Sequence, residues 1–346
     1  MSEVKKYRNI DALRSFGCLA IIAWHVKANT NFNGGGGGVP TERIIPSFDY
    51  LVYLFMIISG FGMCNGYYQK LKDGNYDLNK FYSRRYKKTV PFFSILIIVN
   101  CILEFNRENI FEGLMEITML FGFLPNNSLS VIGVAWTLGA IFAFYIIFPF
   151  VVFLLNDKRK GIIFLIVTLG ITYMCQSYFM TEKFVTSNFT MRHSFLFCLP
   201  YFLSGGLIYL YRNELSATVN LHKRAVLLGC VILAVGYLLS PDEIGGFDMI
   251  VPKTLILYSA MVCAVLGEQN KWLSNRFTKF ISEISMEMYL AHMVVFRVVE
   301  KLHIEKVCDD AILRYVITYF MVVLLLVVGM KLYRKCEQIV IQREIK

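Results

Sequence analysis

The sequence predicts an all-α membrane protein with about ten transmembrane helices and both termini in the cytoplasm. Three observations carry that expectation: a composition far more apolar than a soluble domain's, apolar runs of spanning length from end to end, and the sign of the charge between them. Of 346 residues, 56% are hydrophobic and 17% charged, against about a quarter charged in ordinary soluble domains. A hydrocarbon core about 30 Å thick calls for roughly 17 to 25 predominantly apolar residues per helix. Runs near that length fall at 10–27, 48–68, 90–104, 131–155, 161–178, 195–211, 225–239, 250–267, 277–299 and 310–334. No polar block between them is large enough for a separate globular domain, so 1–346 reads as a single membrane domain.

Charge sets the orientation, because cytoplasmic connections carry the excess of Lys and Arg. With the N-terminus inside, segments 1–9, 69–89, 156–160, 212–224, 268–279 and the tail from 331 hold 24 basic residues, and the external loops hold 8. The short run 113–124, bordered by Glu112 and containing Glu116, reads as an interfacial or re-entrant helix. A full span there would invert every later loop and destroy the asymmetry.

Composition also excludes several classes. The net charge of +10 is distributed between apolar spans, without the aromatic-and-basic platform or groove-reading helix of a nucleic-acid binder. Nine Cys are scattered through apolar segments with no CxxC pair and no His/Cys spacing suited to zinc. They read as small hydrophobes, and no metal site or bound cofactor is expected. The segment "NGGGGGV" at 33–39 lacks the Lys-Ser/Thr of a phosphate loop and reads as a flexible external loop. Lys5, Lys6 and Arg8 before an apolar run mimic a signal peptide. Arg14 interrupts that run and no small-x-small cleavage site follows, so it is expected to stay as the first span.

Three constellations could carry chemistry. In "IDALRSFGCLAIIAWHVK" (10–27), Arg14 and His25 are eleven residues apart, which on an α-helix is about 20° of azimuth and roughly 16 Å of rise. They share one stripe, with Asp11 one turn before Arg14 as its i, i+3 partner. Asp11 and Arg14 snorkelling to the headgroups, with His25 in the interface beside Trp24, is the plainer alternative. A histidine able to exchange a proton near neutral pH at membrane depth is equally a site or pathway. In "FYSRRYKKTVPFF" (81–93), Arg84, Arg85, Lys87 and Lys88 precede the third span. They suit either a positive-inside anchor or a cytoplasmic phosphate-binding surface. In "ISEISMEMYLAHMVV" (281–295), Ser285, Tyr289 and His292 share one face at i, i+4 and i+7, as a hydrogen-bond network in a bundle interior or part of a site.

Together these segments resemble the acyltransferase-3 family of integral membrane O-acyltransferases. The first span resembles the family's Arg or Lys, ten intervening residues and His, matched by Arg14 and His25. "YLFMIISGF" (53–61), with Ser59, resembles the Phe-rich Ser-Gly-Phe segment, and "RRYKKTVP" resembles the Arg-x-x-Arg before a proline. "AWTLGAIFAFYIIFP" (135–149), with Trp136 and Tyr145, resembles the Trp-polar-Leu segment. "YFLSGGLIYLY" and "ISMEMYLAHMVV" resemble the later segments, all in family order. Two departures stand out: Lys88 occupies the usual second arginine, keeping charge but losing the guanidinium fork, and Ala140 and Ile141 stand where many members carry Glu.

The resemblance implies the stand-alone membrane form of a glycan O-acetyltransferase-like enzyme in the bacterial plasma membrane. It would move an acyl group, most often acetyl, from cytoplasmic acyl-CoA, a co-substrate, to a hydroxyl of a cell-surface or exopolysaccharide glycan or its lipid-linked precursor. His25 and Arg14 would be catalytic. Arg14, Arg84, Arg85 and Lys88 would bind the donor, and Trp24, Ser59, Trp136, Tyr145, Ser285, Tyr289 and His292 would support the acceptor side. Membrane lipids are the remaining partners. A transporter or flippase using the Arg14–His25 stripe as a permeation path, and an inactive sensor, are the rival expectations.

Overall fold

A computed structural model of the chain describes residues 5–30, 38–74, 76–124, 131–181, 183–184, 190–245, 247–303 and 310–344. In chain order the helices are α1 Ile10–Asn29, the short α2 Ile45–Ser47, α3 Val52–Lys72, α4 Leu78–Leu103, α5 Arg107–Ile117, α6 Trp136–Leu154, α7 Lys158–Met174 and α8 Phe195–Leu210. They continue as α9 Arg212–Leu221, α10 Lys223–Leu239, α11 Ile250–Ala264, α12 Arg276–Glu300 and α13 Ala311–Glu344. A two-residue antiparallel pairing, Glu243↔Asp248 and Ile244↔Phe247 (β1 and β2), closes the turn between α10 and α11.

A helix stands at each of the ten apolar runs. Among the described residues, five helical stretches are both long and apolar enough to cross a membrane: Pro40–Lys72, Leu78–Leu103, Gly133–Leu154, Lys158–Phe179 and Ala311–Ile339. The pair α8 and α9, bent by 74° at their junction, makes a sixth if it is one span. The others fall short for visible reasons. Helices α10 and α11 have 17 and 15 residues, α1 carries Asp11, Arg14 and Lys27, and α12 carries charge along its length.

Hydropathy misplaced several boundaries. Helix α4 starts at Leu78, not near residue 90, because Asp77 caps it by accepting from the Asn79 amide at 2.8 Å. The basic cluster is therefore helical. The helix anticipated at 113–124 is α5, at Arg107–Ile117 and capped by Asn106, followed by a single 3-10 turn at Phe121–Phe123.

The chain divides into two compact units, Met1–Leu13 with Val52–Ser274, and Arg14–Leu51 with Asn275–Lys346. The larger unit is centred on α3 against α8. A Cβ on Gly60 would strike the Phe202 carbonyl, and one on Gly205 would strike the Ile57 carbonyl, so glycine lets the two backbones meet. Rings stack around that contact: Tyr53 on Tyr201 with centroids 4.2 Å apart, and Phe144 on Phe202 at 4.3 Å. The Tyr201 hydroxyl and Thr254 Oγ1 share a 2.7 Å hydrogen bond, tying in α11.

The smaller unit is built on α1, α12 and α13. Ser15 donates to the Thr278 carbonyl at 2.7 Å and Cys18 Sγ to the Ser285 carbonyl at 3.5 Å, so α1 and α12 run parallel. Tyr319 and Tyr315 donate to the Leu19 and Ala23 carbonyls at 3.4 and 3.1 Å, so α13 runs antiparallel to α1. Arg334 of α13 reaches Glu287 of α12 at 3.3 Å.

Candidate functional site

Two imidazoles meet inside the smaller unit. His25 of α1 and His292 of α12 lie with ring centroids 4.7 Å apart in an edge-to-face arrangement. The register explains why. Cys18 and Ser285 are in contact, and seven residues further along each parallel helix, about two turns, stand His25 and His292.

His25 is half-buried and His292 is 1% exposed. His25 Nδ1 lies 3.0 Å from the Ile21 carbonyl oxygen, and His292 Nδ1 hydrogen-bonds the Tyr289 carbonyl. A carbonyl only accepts, so Nδ1 carries the proton in both rings, and in the neutral state the basic lone pair is on Nε2. That is the tautomer a general base or nucleophile needs if its reactive nitrogen is Nε2.

The surrounding residues divide by position. Trp24, half-buried, precedes His25 on α1, and the Tyr289 ring is 5.7 Å from that of His292. Ser285 is buried and its hydroxyl donates to the Ser282 carbonyl at 2.9 Å within α12. Arg14 and Asp11 are partly buried in the first turns of α1, Arg14 roughly 16 Å from His25 along the axis. Among the described residues, no three His, Cys, Asp or Glu side chains gather as metal ligands.

In the larger unit Arg85 is wrapped in rings. Its guanidinium carbon is 4.0 Å from the Phe81 ring centre, 4.2 Å from Tyr67 and 5.4 Å from Tyr145. Nη1 donates to the Phe81 carbonyl at 3.1 Å and Nη2 contacts Met63 Sδ at 3.1 Å. Cation–π attraction replaces the missing counter-ion, since among the described residues Arg85 has no carboxylate within ion-pair distance. Arg84 is exposed and donates to the Tyr76 hydroxyl at 3.2 Å, and Lys88, one turn on, is exposed. Tyr145, assigned to the acceptor side from its segment, belongs to the Arg85 cluster. Ser59 is half-buried beside Gly60 on α3.

Trp136 is buried and stacked face to face on His193, centroids 4.5 Å apart and planes 16° apart, with the Arg192 guanidinium 5.7 Å from its ring. Burial, with Arg192 beside it, pushes the His193 imidazole down to about 3, so it stacks as a neutral ring. Glu116 of α5 is 0% exposed, and burial pushes its carboxyl up to about 8 despite the Ile132 and Val131 amides, which favour the ionised form. Nothing local in the sequence marks these two. The matching seven-residue steps 18→25 and 285→292 were a usable signal for the histidine pair, once α1 and α12 are known to run parallel.

Comparison with known proteins agrees with the motifs. An uncharacterized protein of Haemophilus influenzae is 24% identical over 250 residues, 63% of this chain and 98% of that protein. No solved structure matches the chain. A family model described as an acyltransferase domain matches residues 7–331, a stretch that holds every candidate site residue and all but the end of α13. A match of that extent, on several helices apolar enough to cross a bilayer, establishes that the chain belongs to the acyltransferase-3 family of multi-pass membrane acyltransferases.

Proposed function

We propose that this acyltransferase is an O-acetyltransferase of the bacterial plasma membrane. It moves acetyl from cytoplasmic acetyl-CoA to a hydroxyl of a cell-surface or exopolysaccharide glycan or its lipid-linked precursor. The observation that carries the reading is His25 itself: a half-buried imidazole packed against the buried His292 ring, its Nδ1 proton committed to the Ile21 carbonyl and its basic nitrogen on the other edge. A titratable side chain inside a membrane protein is costly unless function retains it.

In the proposed step the acceptor hydroxyl oxygen attacks the thioester carbonyl as His25 Nε2 takes its proton. The new O–C bond forms, the C–S bond breaks, and the proton returns to the departing thiolate as CoA-SH. Arg14, roughly 16 Å from His25 along α1, orients the donor from its other end. Arg84, Arg85 and Lys88 hold the CoA phosphates, the exposed Arg84 and Lys88 reaching them directly and the ring-enclosed Arg85 adding charge behind. Attack by His25 itself, giving a transient acyl-histidine, is the other route through the same residue.

The test is purified protein in lipid vesicles with labelled acetyl-CoA and a panel of glycan acceptors. Label on an acceptor hydroxyl is the expected result. Movement of unmodified substrate across the vesicle, with no transfer, would overturn the reading in favour of a transporter or flippase. Rapid quench without acceptor separates the two enzymatic routes, since only the second leaves acetyl on the His25 peptide.

A further inference from the structure

His292 is buried, and among the described residues its Nε2 has no hydrogen-bond partner. A buried nitrogen left in that state is costly unless it is used. Its ring lies against His25, and both Nδ1 protons are committed to carbonyls of their own helices. In its neutral form each ring therefore has its lone pair on Nε2, and two neutral rings cannot donate to one another from the remaining nitrogen. Acyl transfer changes that, because it delivers a proton to His25.

We propose that His292 is a positioning residue that holds the proton on His25 between its removal from the acceptor hydroxyl and its return to the thiolate. The neutral His292 ring, through Nε2 or its π face, stabilises the His25 imidazolium, the part a carboxylate plays beside the histidine of a hydrolase triad. The proposal rests on His25 being the general base.

Other ionisable groups share the three helices: Arg314 of α13 is half-buried one residue before Tyr315, and the Tyr289 ring lies 5.7 Å from that of His292. On α13, the Tyr315 and Tyr319 hydroxyls are committed to the Ala23 and Leu19 carbonyls. On α12, Glu287 is engaged by Arg334, Tyr289 precedes His292 by three residues, and Arg297 follows it by five. On α1, Lys27 donates to the Thr41 carbonyl and Arg14 lies three turns back.

The experiment uses the full chain in nanodiscs. Diethyl pyrocarbonate acylates neutral imidazole, so its rate at His25, read by peptide mass spectrometry across pH, reports the His25 titration without any transfer reaction. In His292→Phe, which removes the acceptor nitrogen, the midpoint should fall by about one pH unit. In His292→Gln, whose amide oxygen still accepts, it should stay within about 0.3. In acetyl transfer, His292→Phe should lower kcat about 100-fold with the KM for acetyl-CoA unchanged, and His292→Gln should recover about tenfold of that loss. His292→Met serves in place of the Phe variant if the latter does not insert.

An unmoved midpoint, equal losses in the Phe and Gln variants, or a loss confined to KM would each overturn the proposal. The two readings fail separately. Wild-type protein that transfers acetyl but shows no midpoint shift on substitution loses the pair, whereas a midpoint shift in a protein with no transferase activity loses the reaction.

Discussion

The two units share interhelical hydrogen bonds, which in the larger run from Tyr82 to the Ile146 carbonyl at 2.9 Å and from Thr172 to the Leu196 carbonyl at 3.2 Å, but they differ in their tightest helix contact. In the larger, α3 and α8 meet backbone to backbone through Gly60 and Gly205, flanked by stacked Tyr53/Tyr201 and Phe144/Phe202. In the smaller, side chains on one helix donate to carbonyls of another, from Ser15, Cys18, Tyr315 and Tyr319. Lipid tails are as apolar as leucine, so neither contact gains from burial alone. Close approach gains dispersion, and the hydrogen bonds satisfy polar groups that lipid cannot. Glycine contact fixes a scaffold and leaves no room between helices. In the hydrogen-bonded unit two imidazoles meet between α1 and α12. The larger unit keeps its own half-buried cation, Arg85, by a third device, enclosing it in rings.

The sharpest way to break that contrast is His25→Ala, which should reduce acetyl transfer about 1000-fold while the protein still inserts and melts cooperatively. Transfer at the wild-type rate would remove the chemistry from the smaller unit. Next comes Glu116→Gln in the larger unit. A carboxyl raised from the usual 4.5 to about 8 binds its proton more tightly folded than unfolded. Its stabilisation is complete below about pH 4.5 and is lost as pH rises through 8, a loss of roughly 3–5 kcal/mol. The Gln variant should therefore gain on the wild type between pH 5 and pH 8 in detergent melts, and parallel curves would contradict the buried acid.

Smaller effects test the packing modes directly. Gly60→Ala forces α3 off the Phe202 carbonyl and should cost about 2 kcal/mol, within the usual range for overpacking. Tyr319→Phe removes one interhelical hydrogen bond and should cost about 0.6 kcal/mol. Melting temperatures that rank the two the other way would reverse the comparison. Arg85→Lys keeps the charge but loses the planar fork and its stacking, and should raise the KM for acetyl-CoA about tenfold with kcat little changed. A fall in kcat alone would take Arg85 out of donor binding.

Much of the architecture was legible because it depends on local pattern. Each of the ten apolar runs holds a helix, and among the described residues five helical stretches, or six with the bent α8–α9 pair, are long and apolar enough to cross a membrane, where a helix satisfies its own backbone. The limits of α4 and α13 were missed because hydropathy ends where charge begins, whereas a helix continues until its hydrogen bonding is interrupted. Helix α4 begins at the Asp77 cap, and α13 runs on to Glu344 through a charged last stretch. The break between α8 and α9 was invisible for the opposite reason, with helix-forming residues on both sides of a 74° bend.

The sequence by itself determined the polar stripe of α1, because 100° per residue places Arg14 and His25 on one face of any helix they share. It also placed the basic residues of 84–88 beside an apolar span. Only the tertiary structure decided what those residues meet. His25 meets His292 because α1 and α12 run parallel in a register 267 residues apart, the separation of both Cys18–Ser285 and His25–His292. Arg85 is enclosed because α3 and α6 bring Tyr67 and Tyr145 to it. Trp136 is covered by His193, a residue 57 positions away in the chain. Periodicity along one helix is a property of local geometry, whereas the neighbour across a helix interface depends on packing between segments distant in sequence, which no single stretch encodes.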